Sequence, residues 1–350
     1  MRMTAKNIFR AVLAALAASA AVGCGSSNSN SSGSTGNGSS ITAAGAATYV
    51  YAIQNPSGGG TGEVLAFAAG ANGSVAPAAT LIAPTGMEIF AVATDAAGQI
   101  YVAGYLPNNG LAVIEVYAAG ASGAATPVRT IYTPSLYTPT AMAIDAGGSL
   151  YTVDPDDGDV YVYSSTASGA ATPTRIISGS LTQLNESEGI AVDGSGDIYV
   201  ASAIINGSNA TGAVYVFSST ANGNVAPVRT ITNANGLFLG EGIDAGGNIY
   251  LSLDTITAPY TGAIVRYGPG MSGAAAPVRT IAGTATGLTT AGGVSVDAVG
   301  NIYVANEAPN ANGIGYTLEE FGSSANGNIV PAAVLSSTSW TNAPASIASH

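Results

Sequence analysis

The chain has 350 residues and an acidic composition, with 8 lysines and arginines against 20 acids and a formal net charge of −12. Such a charge excludes the basic surface that a protein needs in order to bind a nucleic-acid backbone. The 47 glycines and the charged fraction of only 8% favour an all-β fold with many tight turns.

The first 23 residues have the pattern of a secretory signal peptide. Arg2, Lys6 and Arg10 precede a small, apolar run over 11–22, which is too short to cross a bilayer as a helix. The run ends at Cys24, the single cysteine of the chain, and residues 21–26 resemble the lipobox of bacterial lipoproteins. This resemblance implies cleavage before Cys24 and a lipid on its thiol, and ordinary cleavage after residue 20 is the alternative.

Residues 24–45 consist almost entirely of Gly, Ser, Asn, Thr and Ala. A segment of this composition is expected to be a flexible tether. If Cys24 is lipidated, the protein is exported and anchored to the cell envelope. The residue after the cysteine is Gly25 rather than aspartate, which favours the outer membrane, and a periplasmic or extracellular location is the alternative. We expect contact with the membrane through the lipid only.

Two sequence motifs recur along residues 46–350. The first runs from an aspartate to a tyrosine six residues later, at Asp95–Tyr101, Asp145–Tyr151, Asp193–Tyr199, Asp244–Tyr250 and Asp297–Tyr303. The second runs from an aromatic residue to a proline ten residues later, at Phe67–Pro77, Tyr117–Pro127, Tyr163–Pro173, Phe217–Pro227, Tyr267–Pro277 and Phe321–Pro331. Each unit contains four short apolar runs, and four-stranded units of roughly 45 to 50 residues predict the blades of a β-propeller.

The spacings divide the predicted propeller into two faces. The first and third turns of each blade have constant lengths and share what we term the first-turn face. On the opposite, second-turn face, the distance from tyrosine to the next aromatic residue varies between 12 and 18 residues, and that from proline to the next aspartate between 17 and 20. Variable loops on a rigid scaffold are where binding sites usually lie. We therefore predict ligand binding there, in loops such as the one with Ile205, Asn206 and Asn209.

The two ends of the domain predict how the ring closes. The segment 49–51 has the pattern of a second strand with no first strand before it, and 344–349 has that of a first strand with nothing after it. Ser349 stands where the spacing would put the aspartate. We predict an all-β, six-bladed β-propeller of four-stranded antiparallel blades, closed by the C-terminal strand completing the N-terminal blade.

The segment from Glu188 to Val200, which contains Asp193 and Tyr199, resembles the NHL repeat and, more loosely, the propellers of the gluconolactonase and virginiamycin B lyase groups. The resemblance covers residues 46–350 and implies the fold. The Asn-Arg pair that usually precedes the third strand of NHL repeats is missing from every blade. Such propellers bind proteins, RNA, sugars or lactones with little change in the repeat, so the function does not follow from it.

Two repeated charged positions have structural interpretations. Each turn aspartate precedes small residues and is expected to cap its own turn through its side chain. The repeated arginines fall on the outermost strands and are expected to be solvated or to protect a sheet edge. These arginines are Arg129, Arg175, Arg229 and Arg279.

The densest acidic cluster is formed by Asp154, Asp156, Asp157 and Asp159. Carboxylate-rich loops suit Ca²⁺, which makes this cluster a weak candidate for a calcium site. Gly158, however, replaces one acid of a calcium loop, and no glutamate stands at its twelfth position. A two-residue hairpin turn is therefore the favoured interpretation of Asp157 and Gly158.

An enzymatic function has one candidate set of residues. The resemblance to the gluconolactonase group implies a metal at the top of the central channel, held by Glu188, Asp154 and Asn306, with Glu188 also as the candidate catalytic residue. A lyase of the virginiamycin type needs a catalytic histidine, and the only one here is His350, the last residue. The sequence shows no nucleophile with a matching base and no phosphate-binding loop.

We therefore expect a monomeric, non-catalytic binding or scaffolding propeller without a cofactor. Its partner would be a protein, a peptide or a carbohydrate of the cell envelope, and not a nucleic acid. The alternative is a hydrolase, lactonase or lyase that acts at the central channel with Ca²⁺ or another divalent metal.

Overall fold

The computed structural model describes residues 49–56, 60–106, 110–133, 136, 138–206, 209–233, 236–255, 262–310, 313–337, 340 and 346–350. The predicted signal peptide, Cys24 and the predicted tether lie outside these residues. Residues Ala46–Ala308 and Tyr316–His350 belong to one compact unit. The described residues form strands, turns and loops, and they include no helix that is long and apolar enough to cross a membrane.

The strands follow one another in six small sheets. In chain order, the first three blades span β1 (Tyr49–Gln54), β2 (Glu63–Ala68), β3 (Gly73–Ser74) and β4 (Ala79–Ile82), then β5 (Glu88–Thr94), β6 (Ile100–Leu106), β7 (Leu111–Tyr117) and β8 (Arg129–Tyr132), then β9 (Ala141–Ile144), β10 (Leu150–Asp154), β11 (Asp159–Tyr163), β12 (Gly169–Ala170) and β13 (Arg175–Ile177). Two of these strands pair into the sheet of the preceding blade, β3 into that of the sixth and β12 into that of the second.

The other three blades contain β14 (Gly189–Val192), β15 (Ile198–Asn206), β16 (Asn209–Phe217) and β17 (Arg229–Asn233), then β18 (Gly236–Ile243), β19 (Ile249–Thr255), β20 (Gly262–Tyr267) and β21 (Arg279–Ile281), then β22 (Thr290–Val296), β23 (Ile302–Asn310), β24 (Gly313–Phe321) and β25 (Ala333–Ser336). The last strand, β26 (Ile347–Ser349), returns to the first blade.

The six blades form a closed ring, as the repeats predict. Innermost strands contact one another in the cyclic order β26, β5, β9, β14, β18, β22 and back to β26. Six clusters of buried apolar side chains lie between successive blades, one at each junction. Because both faces of every blade are covered, strands such as β10 are buried along their whole length, which explains their continuous apolar character.

Ring closure by the C-terminal strand is confirmed. Strand β26 pairs antiparallel with β1, and the main-chain N–H groups of Tyr49 and His350 each donate to the other residue's carbonyl, at 2.9 and 3.0 Å. The predicted register is wrong by one residue. Val50, like its counterpart Ile100 in the second blade, pairs with the third-strand aromatic residue, so Tyr51 corresponds to the repeated tyrosine, and His350 rather than Ser349 stands where the aspartate would.

Each third turn reaches across to the preceding blade. A glycine six residues after the aromatic residue pairs in parallel with the outermost strand of that blade, in the pairs Gly73–Leu335, Gly123–Leu81, Gly169–Ile131, Gly223–Ile177, Gly273–Ile231 and Gly327–Ile281. The constant length of the third turn is the length needed to reach the neighbouring blade. The pairing also covers part of the outer edge of every sheet, an edge that would otherwise be open to aggregation.

Gly223→Ala is expected to destabilise the protein by about 1 to 2 kcal/mol, because an L-residue pays this cost in the left-handed region. Gly223 has a φ of +70°, and an added Cβ would meet no atom within 4 Å, so the cost is purely one of backbone strain. Gly194→Ala is the matched control, since a Cβ there also meets nothing and its φ is not in the left-handed region. Urea unfolding that shows equal losses for both variants would contradict this assignment.

The turn aspartates cap their own turns, as predicted. In the fourth blade, Asp193 Oδ1 accepts hydrogen bonds from the main-chain N–H groups of Ser195 and Asp197 at 2.8 and 3.0 Å, and Oδ2 accepts one from the Tyr199 hydroxyl at 3.1 Å. The other four aspartates make the same three bonds. This explains the fixed spacing from aspartate to tyrosine.

The repeated arginines join neighbouring blades, a role that the prediction of solvated or edge-protecting charges did not include. Arg175 Nη1 donates to the carbonyls of Ser219 and Ala221 in the next blade, at 2.8 and 3.0 Å. Its Nη2 donates to the Tyr151 hydroxyl at 3.1 Å, and its guanidinium lies 5.7 Å from the centre of that ring. Arg129, Arg229 and Arg279 donate to next-blade carbonyls in the same way.

Candidate binding site on the second-turn face

One position of the repeat holds a different residue in each of the six blades. It lies on the second strand, on the side that leads to the second turn. It lies three residues beyond the repeated tyrosine and is occupied by Gln54, Gly104, Asp154, Ser202, Leu253 and Asn306. The four polar side chains among these are at most 6% exposed. A buried polar group is costly unless it is hydrogen-bonded, so each of them needs a partner.

Two of these side chains hold the links between blades. Asp154 Oδ2 accepts a hydrogen bond from the main-chain N–H of Thr138 at 3.2 Å. Asn306 accepts one from the N–H of Thr289 at 2.9 Å and donates to the Gly287 carbonyl at 3.1 Å. Thr138 and the segment 287–289 belong to the links that lead into these same blades, so each link is fixed by a side chain of the blade that it enters.

The links into the second and fourth blades are held by other side chains. The Ser202 hydroxyl donates to the Asn185 carbonyl at 2.5 Å and accepts from the Asn185 N–H at 3.0 Å. In the second blade the equivalent position is Gly104, and Asn55 of the first blade exchanges two hydrogen bonds with the main chain of Ile89, at 2.7 and 2.9 Å. These side chains thus fix the links into the third, fourth and sixth blades and the start of the innermost strand of the second.

The candidate metal ligands Glu188, Asp154 and Asn306 lie in three different blades. Asp154 ends β10 in the third blade, Glu188 directly precedes β14 in the fourth, and Asn306 belongs to β23 in the sixth. The polar atoms of Asp154 and Asn306 bond to the links described above. Across the described ranges, no three His, Cys, Asp or Glu side chains are grouped as metal ligands would be.

The acidic cluster of the third blade forms a hairpin, as favoured by the sequence. Asp154 and Asp159 pair at its ends, so the loop has four residues, and the predicted two-residue turn is wrong. Gly158, at φ +75°, donates its N–H to the Asp154 carbonyl at 2.8 Å. Asp156 Oδ2 accepts a hydrogen bond from the Thr138 hydroxyl at 3.1 Å, which ties the hairpin to the neighbouring link.

The remaining acids of this hairpin are mutually repulsive. Asp157 accepts hydrogen bonds from the Asp159 N–H at 2.9 Å and from the Tyr161 hydroxyl at 2.6 Å. Burial, followed by the nearby carboxylates of Asp157 and Asp154, raises the pKa of Asp159 to about 6. The hairpin is therefore a site of concentrated negative charge, which cationic groups would neutralise and other hydrogen-bond donors would solvate.

The link over 178–188 is strained and packs against this hairpin. Gln183 and Glu186 are the non-glycine residues of the described chain with φ in the left-handed region, at 63° and 49°. A Cβ added at Gly158 would lie 3.1 Å from the Leu184 carbonyl oxygen, so hairpin and link are in close contact. Backbone strain of this kind is common at ligand-binding sites.

The hairpin of β15 and β16 follows in the next blade. Its main chain pairs Ile205 with Ala210 and Asn206 with Asn209, whereas the side chains of the predicted ligand-binding residues Ile205, Asn206 and Asn209 lie outside the described part of the structure. We define the hairpin 154–159, the link 178–188 and the hairpin 204–211 as the blade 3–4 sector. This sector is the candidate binding site.

Sequence reasoning missed Glu241, a carboxyl group between the fourth and fifth blades. Its Oε2 accepts a hydrogen bond from the Ala201 N–H at 3.1 Å, whereas Oε1 is buried without a partner among the described residues. Burial raises its pKa to about 8. An alignment of the repeats could have found it, because the equivalent positions are apolar in the other blades, at Val92, Met142, Ile190, Val294 and Ile347.

A second missed acid, Glu319, lies on β24 and is 2% exposed. Its Oε1 accepts a hydrogen bond from Asn306 Nδ2 at 2.9 Å. Burial raises the pKa of Glu319 to about 7, partly offset by the bonds from Asn306 and Thr317. The signal in the sequence is an acid within an apolar third strand, and it recurs in the second blade at Glu115, whose pKa burial also raises.

Comparisons with known proteins support the fold but do not indicate a function. No protein-family model and no curated protein matches the chain. The crystal structure of a protein of unknown function from Bacteroides caccae is similar, with a TM-score of 0.58 and 10% sequence identity over 87% of this chain and 99% of that chain. At this identity the likeness shows a shared fold alone. The chain is a six-bladed β-propeller.

Proposed function

We propose that the protein is a non-catalytic binding or scaffolding propeller of the cell envelope, which takes a protein, peptide or carbohydrate on its second-turn face. The observation that carries the proposal is that the links into the third, fourth and sixth blades are each held by a different buried side chain, Asp154, Ser202 and Asn306. Fixed, varied loops on a repeated scaffold are how repeat folds make specific binding surfaces.

The blade 3–4 sector is the proposed centre of this surface. Its link carries the strained Gln183 and Glu186, and its hairpin carries the carboxylates of Asp156, Asp157 and Asp159. Carboxylates make their strongest hydrogen bonds to cationic donors and also accept from hydroxyl groups. The expected ligand is therefore rich in donors, as are basic peptides and the hydroxyl groups of carbohydrates.

The envelope location is the part of the proposal that rests on residues 1–45. The signal-peptide pattern and the lipobox-like residues around Cys24 support export and a lipid anchor, and the small polar residues 24–45 support a tether. A tethered propeller would be free to orient its second-turn face toward a partner within reach of the membrane.

Replacing Ile205–Thr211 with a short Gly-Ser turn is expected to abolish capture of the envelope ligand while leaving the Tm unchanged. The segment is the tip of a hairpin, and the replacement leaves the rest of β15 and β16 paired within the blade. The measurement is a pull-down from envelope extract with the immobilised fragment 46–350, followed by thermal unfolding of the same variant.

The matched control is Gly194→Ala on the first-turn face, where an added Cβ meets no neighbouring atom. This variant should capture as much ligand as the unmodified fragment. Undiminished capture by the loop variant would place the ligand elsewhere. Turnover of a lactone with added Ca²⁺, Mn²⁺ or Zn²⁺, abolished by Glu188→Gln, would contradict the non-catalytic part of the proposal.

A further inference from the structure

The arginines that join neighbouring blades occupy a repeated binding environment. In each blade, a row of three paired residues faces the next blade, made of the repeated tyrosine, a third-strand residue and an outermost-strand residue. The rows of the second to fifth blades are Tyr101–Val116–Arg129, Tyr151–Val162–Arg175, Tyr199–Val216–Arg229 and Tyr250–Arg266–Arg279. The final arginine of each row bonds to carbonyls of the next blade's third turn.

The sixth blade keeps this environment but lacks the arginine. Ala333 stands in the arginine's place and pairs with Glu320, which replaces the valine or arginine of the other rows. Tyr303 is retained, and its hydroxyl donates to Asp297 at 3.1 Å as in the other blades. Two carboxylates thus surround this tyrosine, and no guanidinium from its own row neutralises them.

A pocket of about 20 Å³ opens at this place, at the junction of the sixth and first blades. Its lining includes Tyr303, Glu320 and Leu335 from the sixth blade and Gly70 and Ala71 from the third turn of the first. Glu320 Oε2 accepts a hydrogen bond from the Gly70 N–H at 2.8 Å, so its carboxylate is held at the pocket. Burial, then Glu320 and Asp297, raise the pKa of Tyr303, which indicates a negative potential there.

The first blade provides an internal comparison. Its arginine position is also an alanine, Ala79, in a row with Tyr51 and Ala66. The third-strand residue is not an acid, and His350 stands where the turn aspartate would. The first blade therefore has no carboxylate beside its missing arginine, whereas the sixth blade has two, Asp297 and Glu320, without a guanidinium from their own row.

We propose that the pocket between the sixth and first blades binds the guanidinium group of an arginine side chain presented by a partner peptide or protein. The filled junctions of the same molecule define the chemistry: a planar cation near a tyrosine ring that donates to carbonyls of the following third turn. Glu320 adds a carboxylate, the preferred partner of a guanidinium. This site lies on a different part of the propeller from the blade 3–4 sector and does not depend on the proposed function.

The direct test is titration of the fragment 46–350 with N-acetyl-L-arginine amide, observed at the amide NMR signal of Gly70. We expect a saturable shift of that signal and a rise in Tm, because a ligand that binds only the folded state stabilises it. N-acetyl-L-citrulline amide, which has the same shape without the charge, should give neither. Equal binding of the citrulline probe, or of N-acetyl-L-lysine amide, would overturn the guanidinium assignment.

Two substitutions test the pocket, one by filling it and one by removing its carboxylate. Ala333→Arg should place an intramolecular guanidinium there, raise the Tm and abolish the shift caused by the arginine probe. Ala79→Arg is the matched control and should leave the probe's shift intact without raising the Tm. Glu320→Gln should weaken binding of the probe at least about tenfold, the loss expected for a charge-assisted hydrogen bond.

If Ala333→Arg does not fold, the Glu320→Gln titration decides the matter alone. No saturable shift in the unmodified protein, or equal affinity before and after Glu320→Gln, would overturn the proposal.

Discussion

Truncation after Asn342 is expected to leave the protein aggregated or with a markedly lower Tm. The deletion removes β26, which pairs with Val50, Tyr51 and Ala52 and closes the first blade. It also removes Ile347, which is 7% exposed and packs between the sixth and first blades. Loss of one buried side chain of this size costs about 2 to 5 kcal/mol, against a typical total stability of about 5 to 15 kcal/mol, and the exposed edge of β1 adds a site for aggregation.

Size-exclusion chromatography and thermal unfolding of the truncated chain measure this effect. Deletion of residues 25–44 is the control and should leave the Tm nearly unchanged. Ile347→Ala keeps the main-chain ladder and should give an intermediate loss, since only the packing of one side chain is removed. A truncated chain that stays monomeric and has the same Tm as the full-length protein would show that the ring does not depend on its last strand.

The fold could be predicted from the sequence because its turns are local. Each turn aspartate bonds to groups two, four and six residues ahead, so the spacing itself encodes the contact. The first blade lacks the turn aspartate, and both Tyr49 and Tyr51 fit the position of the repeated tyrosine. Only the pairing of Val50 with Phe67 decides between them, and that pairing is long-range information.

The candidate site was less predictable because its partners are distant main-chain groups. The sequence does not reveal that Asp154 and Asn306 accept hydrogen bonds from the N–H groups of link residues. The bonds of Arg175 to carbonyls more than forty residues away are hidden for the same reason. The sequence does show where a residue differs from the repeat, as Glu241 and Glu320 do.

Glu241 is expected to make the stability of the protein fall as pH rises from about 5 to 8. The usual pKa of a glutamate is 4.5, and burial raises that of Glu241 to about 8 in the folded chain. The folded state therefore holds the proton more tightly than the unfolded state, so the stabilisation is complete below pH 4.5 and is lost as pH rises through 8. At roughly 1.4 kcal/mol per pKa unit, the loss is at most about 5 kcal/mol. Glu319 acts in the same direction.

Glu241→Met is expected to remove the part of this pH dependence that Glu241 causes, while the part from Glu319 remains, and to stabilise the protein by a few kcal/mol at pH 9, because replacing a buried charge with a packed apolar side chain is often stabilising. Methionine is chosen as the replacement because Met142 occupies the equivalent position of the third blade. Urea unfolding from pH 5 to 9 measures the effect. Glu88→Gln, at an exposed carboxylate that begins β5, should follow the unmodified protein across this range. Parallel profiles for the unmodified protein and Glu241→Met would mean that this carboxyl group is solvated, and that the junction of the fourth and fifth blades is open to water.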